Sequence, residues 1–103
     1  MINFNEPPLD TASFEWDNNK RLANIAKHGI DFEDAIDVFF EPHLDEPLSY
    51  PHEARRKALG LIGDRLVAVI YTWRGPSIRI ISARRARANE QRAYRALHPR
   101  GDP

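Results

Sequence analysis

Apolar positions recur along this chain with two different periods, and the change from one to the other divides it. Between Asp17 and Lys27, Leu22, Ile25 and Ala26 fall on one helical face. Asp17 is placed to cap the first turn, and Gly29, just past His28, suits the left-handed position that closes a helix. Asp31 opens a second helix, in which Phe32, Ala35, Ile36 and Phe39 recur at helical spacing until Pro42 ends it. The turn KHGI joins the two, and SFEW upstream reads as a short strand.

From Arg55 the period becomes extended. The runs RRKALGLIG, RLVAVIYTW and SIRIISARR, separated by turns at Gly63-Asp64 and Arg74-Gly75-Pro76, predict three consecutive antiparallel strands. The middle run is apolar on both faces, which predicts a central strand. In the third, Ile78, Ile80 and Ser82 alternate with Arg79, Ile81 and Ala83. Arg79 and Arg85 therefore share a parity that Arg84 lacks, and a bulge or the strand end is needed before all three can converge. A last helix is expected from about Arg87 to Leu97, with Ala93 and Leu97 inward and Arg92 and Arg95 outward. Residues 1–12, with Pro7 and Pro8, read as a flexible arm, 13–98 as a single domain and 99–103 as a frayed tail.

Size and composition narrow the classes. At 103 residues and 11.9 kDa the core is small, and the absence of cysteine removes disulfides and thiolate metal sites. No apolar run reaches the roughly 18 residues a membrane helix needs, and the acidic, proline-containing start is unlike a signal peptide. A cytoplasmic protein with no membrane partner is expected. The neutral total hides a split: residues 1–54 carry twelve acids and three bases, a net −9, and residues 55–103 the reverse, +9. From Arg74 to Arg100 eight arginines face one acid, Glu90. Either the two halves pair across the fold, or the basic half forms a surface for phosphates or acidic proteins.

FEWD, LANIAKHGIDFEDA, VFFEP, an arginine ahead of ALG, and VIYTWRG continuing into IRIISARRA with a later Glu and Tyr carry a resemblance to the BrnT family of bacterial toxins. That family belongs to the RelE-like ribonuclease toxins of type II toxin–antitoxin pairs, and the likeness spans about residues 14–95. KHGI followed by IRIISAR, in this order and at this separation, is its most specific part. The resemblance implies an α+β, RelE-like fold: two N-terminal helices on a curved antiparallel sheet, with a C-terminal helix. It also implies cleavage of RNA that inhibits translation, and neutralisation by a cognate BrnA-like ribbon-helix-helix antitoxin. Two toxins with an antitoxin dimer are expected, and contact with DNA only through the antitoxin. Gln91 departs from the family, which often has another arginine there; the doubled Arg84-Arg85 partly compensates.

A metal-independent endoribonuclease must deprotonate a 2′-OH, stabilise a phosphorane-like transition state and protonate the leaving 5′-oxygen. Arginine suits the second task, because its planar fork binds phosphate oxygens bidentately and keeps its charge. Arg55, Arg79 and Arg84 are the catalytic candidates of this kind, with Arg85 and Arg74 for RNA binding. Glu90 is a candidate base or an acid that orients the arginines, and arginine neighbours would keep it ionised. His28 is the other candidate base, as an imidazole, but it ends a helix, where it could equally cap carbonyls. Trp73 and Tyr94 could stack on a base or fill the core. His28, His43, His52 and His98 lack zinc spacing, Asp34 and Asp37 read as solvated surface, and no phosphate loop is present, so no metal or cofactor is expected. The competing reading is a non-catalytic nucleic-acid or protein-binding module using the same basic face.

Overall fold

The computed structural model describes residues 3–5 and 14–97. In chain order the elements are β1 (Asn3–Asn5), β2 (Phe14–Glu15), α1 (Asn18–His28), α2 (Phe32–Ala35) continuing as a 3₁₀ segment (Ile36–Phe40), β3 (His43–Leu48), β4 (Arg55–Ile62), β5 (Arg65–Arg74), β6 (Ser77–Arg85) and α3 (Ala88–Leu97). The expected tail at 99–103, and the other residues of the expected arm, lie outside the described residues.

Both helix starts form as their residues dictate. Asp17 accepts the Asn19 N–H at 2.8 Å, and Asp31 accepts the Glu33 N–H at 3.0 Å. Gly29 closes α1 at φ 71°, a conformation that disfavours any residue with a Cβ, and donates to the Ile25 carbonyl. The bidentate pair of Arg21 with Asp31, at 2.7 and 2.8 Å, ties the two starts together. The second helix departs from expectation: only one α-turn forms before the winding tightens. Phe32, Ala35 and Val38 are fully buried and spaced by three, so three residues per turn keep them on one line against the sheet.

The sheet has six strands in the order β1-β3-β4-β5-β6-β2. It is mixed where an antiparallel sheet was expected, since β2 runs parallel to β6, with Phe14 opposite Ile78 and Glu15 opposite Arg79. β5 is central as expected, with Val67, Ala68 and Val69 inaccessible to solvent. β3 was not foreseen because Pro47 interrupts its pattern. Among the described residues β1 pairs only with residues 43–45, which leaves Pro47 on an edge, where a strand tolerates proline.

Strand alternation separates two cores. Ala58, Val67, Val69, Tyr71, Ile78, Ile80 and Ala83 pack against Ile30, Phe32, Ala35, Val38 and Phe39 on one face. On the other, Leu44, Leu59 and Ala68 meet Tyr94 of α3. Burial of each large side chain contributes about 1.5–3 kcal/mol, so most of the apolar stabilisation lies on the first face. Within α3 the buried residues are Glu90 and Tyr94, and Leu97, expected inward, is 49% exposed. Leu22 and Ile25 of α1 are also exposed; the helix is held by the buried Asn24, whose amide bonds the N–H and C=O of Ala83 on β6. At Ala83 the edge of β6 has run past the short β2, so the Asn24 amide takes the place of a neighbouring strand.

Candidate RNA-binding face

Whether the arginines of β6 can converge is settled by one residue. Ile70 pairs with Ser82 and Tyr71 with Ile80, which leaves Ile81 as an extra residue in β6. The bulge resets the alternation, so Ala83 joins Ile78 and Ile80 in the helix-covered core, and Arg79, Ser82 and Arg84 share the opposite face. Arg85 is turned onto the helix side. Of the two routes left open by the sequence, a bulge or the strand end, the bulge is the one found, and it groups Arg79 with Arg84 but separates Arg85 from both.

Cross-strand register arranges that face in three rows. The first runs Leu48, Arg55, Thr72, Arg79, Glu15, and the second Glu46, Lys57, Ile70, Ser82. The third is Leu44, Leu59, Ala68, Arg84, over which α3 lies. Outside α3 the face carries Arg55, Lys57 and Arg79, each ion-paired with an acid. Arg55 lies with its guanidinium 3.7 Å over the Tyr50 ring and donates to Glu53 at 2.9 Å. Arg79 donates to Glu15 at 3.0 Å, and Thr72 between them donates to the Ala54 carbonyl at 2.6 Å.

Glu90 anchors the α3 end of the face. It accepts both Nη atoms of Arg84 at 2.8 and 2.9 Å, the Lys57 ammonium at 2.7 Å and the Arg87 N–H at 2.8 Å. Burial pushes its carboxyl upward, but those hydrogen bonds outweigh it and hold the pKa down at about 2. With a side chain 5% exposed and four donors already bound, Glu90 is built to orient Arg84 and Lys57. Lys57 is also bonded to Glu46 at 2.9 Å, and these two partners raise its pKa against the effect of burial.

The remaining candidates are dispersed. Arg74 falls on the arginine face at the end of β5, whereas Trp73 is on the helix side, half-exposed, its ring 6.3 Å from that of Tyr71. Tyr94 is buried against Leu44, Leu59 and Ala68, the core role that had stood beside base stacking for it. His28 ends the helix fixed to the β6 edge, and among the described residues no hydrogen bond or ion pair joins it to Arg79, Arg84 or Glu90. Among the described residues no three His, Asp or Glu side chains are grouped to hold a metal ion. Among the described residues no helix is long and apolar enough to cross a membrane.

Lys57, Glu46 and Glu15 were missed from the sequence. Lys57 could have been found, since Arg55, Lys57 and Leu59 alternate onto one face of β4. Glu46 could not be placed without β3, nor Glu15 opposite Arg79 without the β2–β6 pairing. A second buried network was also missed: on the helix-covered face Asp45 accepts from Arg56 and from the Tyr71 hydroxyl, whose pKa burial pushes up.

In comparisons with known proteins, residues 16–90 match the family model described as the ribonuclease toxin BrnT of type II toxin–antitoxin systems. That interval runs from the end of β2 to Glu90 and includes every sheet arginine above. Neither the curated proteins nor the solved structures contain a match to the chain.

Proposed function

Because the chain belongs to the BrnT family of type II toxin–antitoxin ribonuclease toxins, we propose that it is an endoribonuclease of RelE-like type that cuts RNA without a metal ion and so stops translation. The observation that carries this reading is the row Arg55, Thr72, Arg79 on one sheet face, with Arg84 two rows away on the same face and fixed by Glu90. Successive rows of a strand are about 6.6 Å apart and neighbouring strands about 4.8 Å, so guanidinium groups from three positions can reach one phosphodiester. There they stabilise the charge that builds on the non-bridging oxygens as the 2′-oxygen attacks phosphorus and the 5′-oxygen leaves. Glu15, 40% exposed in its side chain and already beside Arg79, is the carboxylate that takes the 2′-OH proton. Water supplies the proton to the leaving 5′-oxygen. The products are a 2′,3′-cyclic phosphate and a 5′-OH end. Glu90 is a positioning residue in this scheme.

The same face is the surface an inhibitor has to cover. A cognate ribbon-helix-helix antitoxin, acidic where it meets Arg79 and Arg84, would steer onto it electrostatically and block RNA. Such antitoxins act as dimers, so two toxins join each dimer, and DNA is reached only through the antitoxin.

The test has two arms. Expression of the chain alone should arrest growth with loss of total RNA integrity, and co-expression of its neighbouring antitoxin should restore growth. The purified protein should cut RNA in the presence of EDTA and leave cyclic-phosphate ends. RNA bound tightly but left intact would establish the non-catalytic binding module instead, and cleavage abolished by EDTA would overturn the metal-free step.

A further inference from the structure

Beside Lys57, on the face that carries the arginines, a cleft of about 180 Å³ opens between α3 and strands β3 and β4. Its floor is apolar, formed by Leu44, Leu59 and Ala93, and its rim is polar, formed by Glu46, Asn89 and the Lys57–Glu90 pair. The volume equals roughly six waters, at about 30 Å³ each, and lies below the roughly 300–1,000 Å³ typical of drug-sized ligands. One planar heterocycle fits such a space, its faces against leucine and alanine and its edge toward the rim. Lys57 stands one row from Arg55, about 6.6 Å along β4, which is the reach from a phosphate to the base of its own nucleotide.

The rim is selective in its hydrogen bonding. Glu46 gives Oε2 to Lys57, and among the described residues nothing donates to its Oε1. A carboxylate only accepts, so the edge it recognises must donate. Guanine presents two adjacent donors, N1–H and the N2 amino group, to a carboxylate. The Asn89 amide, which also lines the cleft, can donate to the O6 oxygen. Adenine and cytosine offer a carboxylate one amino group beside an acceptor nitrogen, and uracil presents a single N–H between two carbonyls.

We propose that this cleft is a base-binding subsite that admits the nucleotide next to the cleaved phosphate and selects guanine through Glu46. The subsite rests on the ribonuclease reading for its purpose, but its ligand can be tested without catalysis. The probes are the four nucleoside 3′-monophosphates, followed by amide NMR of the full chain. Guanosine 3′-monophosphate should bind about tenfold or more tighter than the other three, the scale of a hydrogen bond to a charged group, and should shift the amides of Leu44, Leu59 and Ala93. In Glu46→Gln that preference should disappear. In Ala93→Leu, which fills the cleft, the nucleotides should fall to the affinity of inorganic phosphate, which still binds the arginines.

Equal binding of the four nucleotides, or shifts confined to the arginine rows, would overturn the subsite, and the wild-type map decides this even where a variant fails to fold. Guanosine monophosphate seated in the cleft of a protein that cuts no RNA would support the subsite and sink the nuclease reading. RNA cleaved with no preference at guanosine would do the reverse.

Discussion

Replacement of Glu90 by glutamine separates an orienting acid from a reacting one. The carboxylate is 5% exposed and accepts four hydrogen bonds, three of them from charged groups at 2.7–2.9 Å. Glutamine keeps the shape and one acceptor oxygen but leaves Arg84 without its charged partner, while Lys57 retains Glu46. Breaking a buried ion pair costs about 3–5 kcal/mol, and the surviving Lys57–Glu46 pair places this case at about 3. At about 4–8 °C per kcal/mol for a domain near this size, the melting temperature should fall by about 12–24 °C. The acid side gives an independent check. The folded pKa of Glu90, about 2, lies below its ordinary 4.5, so its stabilisation is full above about pH 4.5 and is lost as pH falls toward about 2. The gap between wild type and Glu90→Gln in urea denaturation should therefore be constant near neutrality and close over that interval. Below its melting point the variant should lose about tenfold in RNA cleavage, because Arg84 keeps its charge but loses the partner that orients it. A melting temperature within about 4 °C of wild type, together with a hundredfold loss of cleavage, would refute the orienting role and make Glu90 a reacting group.

Arg79→Ala should lower RNA cleavage by about a hundredfold, the scale of one lost transition-state donor, whereas Arg85→Ala, turned to the other side of β6 by the Ile81 bulge, should change it by less than about fivefold. Equal losses in a cleavage assay would mean a diffuse electrostatic surface and no defined phosphate site. Asn24→Ala should destabilise by about 2–3 kcal/mol, because the N–H and C=O of Ala83 and the carbonyl of Ile30 lose a buried partner, and hydrogen exchange at the Ala83 amide should accelerate. Unchanged exchange there would show that water or a neighbouring strand replaces the amide. Gly60→Ala would set a Cβ 3.0 Å from Val38 Cγ1 and 3.1 Å from His43 Cβ, a clash expected to cost about 1–3 kcal/mol in a denaturation curve.

Local rules placed much of the fold. The aspartate caps, Gly29, the three long strands and the C-terminal helix were all legible, because caps and turns act within a few residues and alternation needs only one strand. Among the short elements only β2 was legible, as the run SFEW. β1 holds three residues, too few to show a period, and β3 is interrupted by Pro47. They exist because neighbouring strands supply their hydrogen bonds, information that lies far away in sequence.

The site divides in the same way. Composition and order alone determined that the basic charge lies in the second half and that the chain carries the family pattern, which the family model matches over residues 16–90. Only the tertiary structure decided which arginines share a face, since the one-residue bulge at Ile81 exchanges Arg84 for Arg85 beside Arg79. It also decided what holds them: Lys57 and Glu90 are 33 residues apart and meet at 2.7 Å, and Glu15 reaches Arg79 across 64 residues. A side chain's type is local, but its face and its partner depend on register, and register is set by the packing of the whole sheet between α2 and α3.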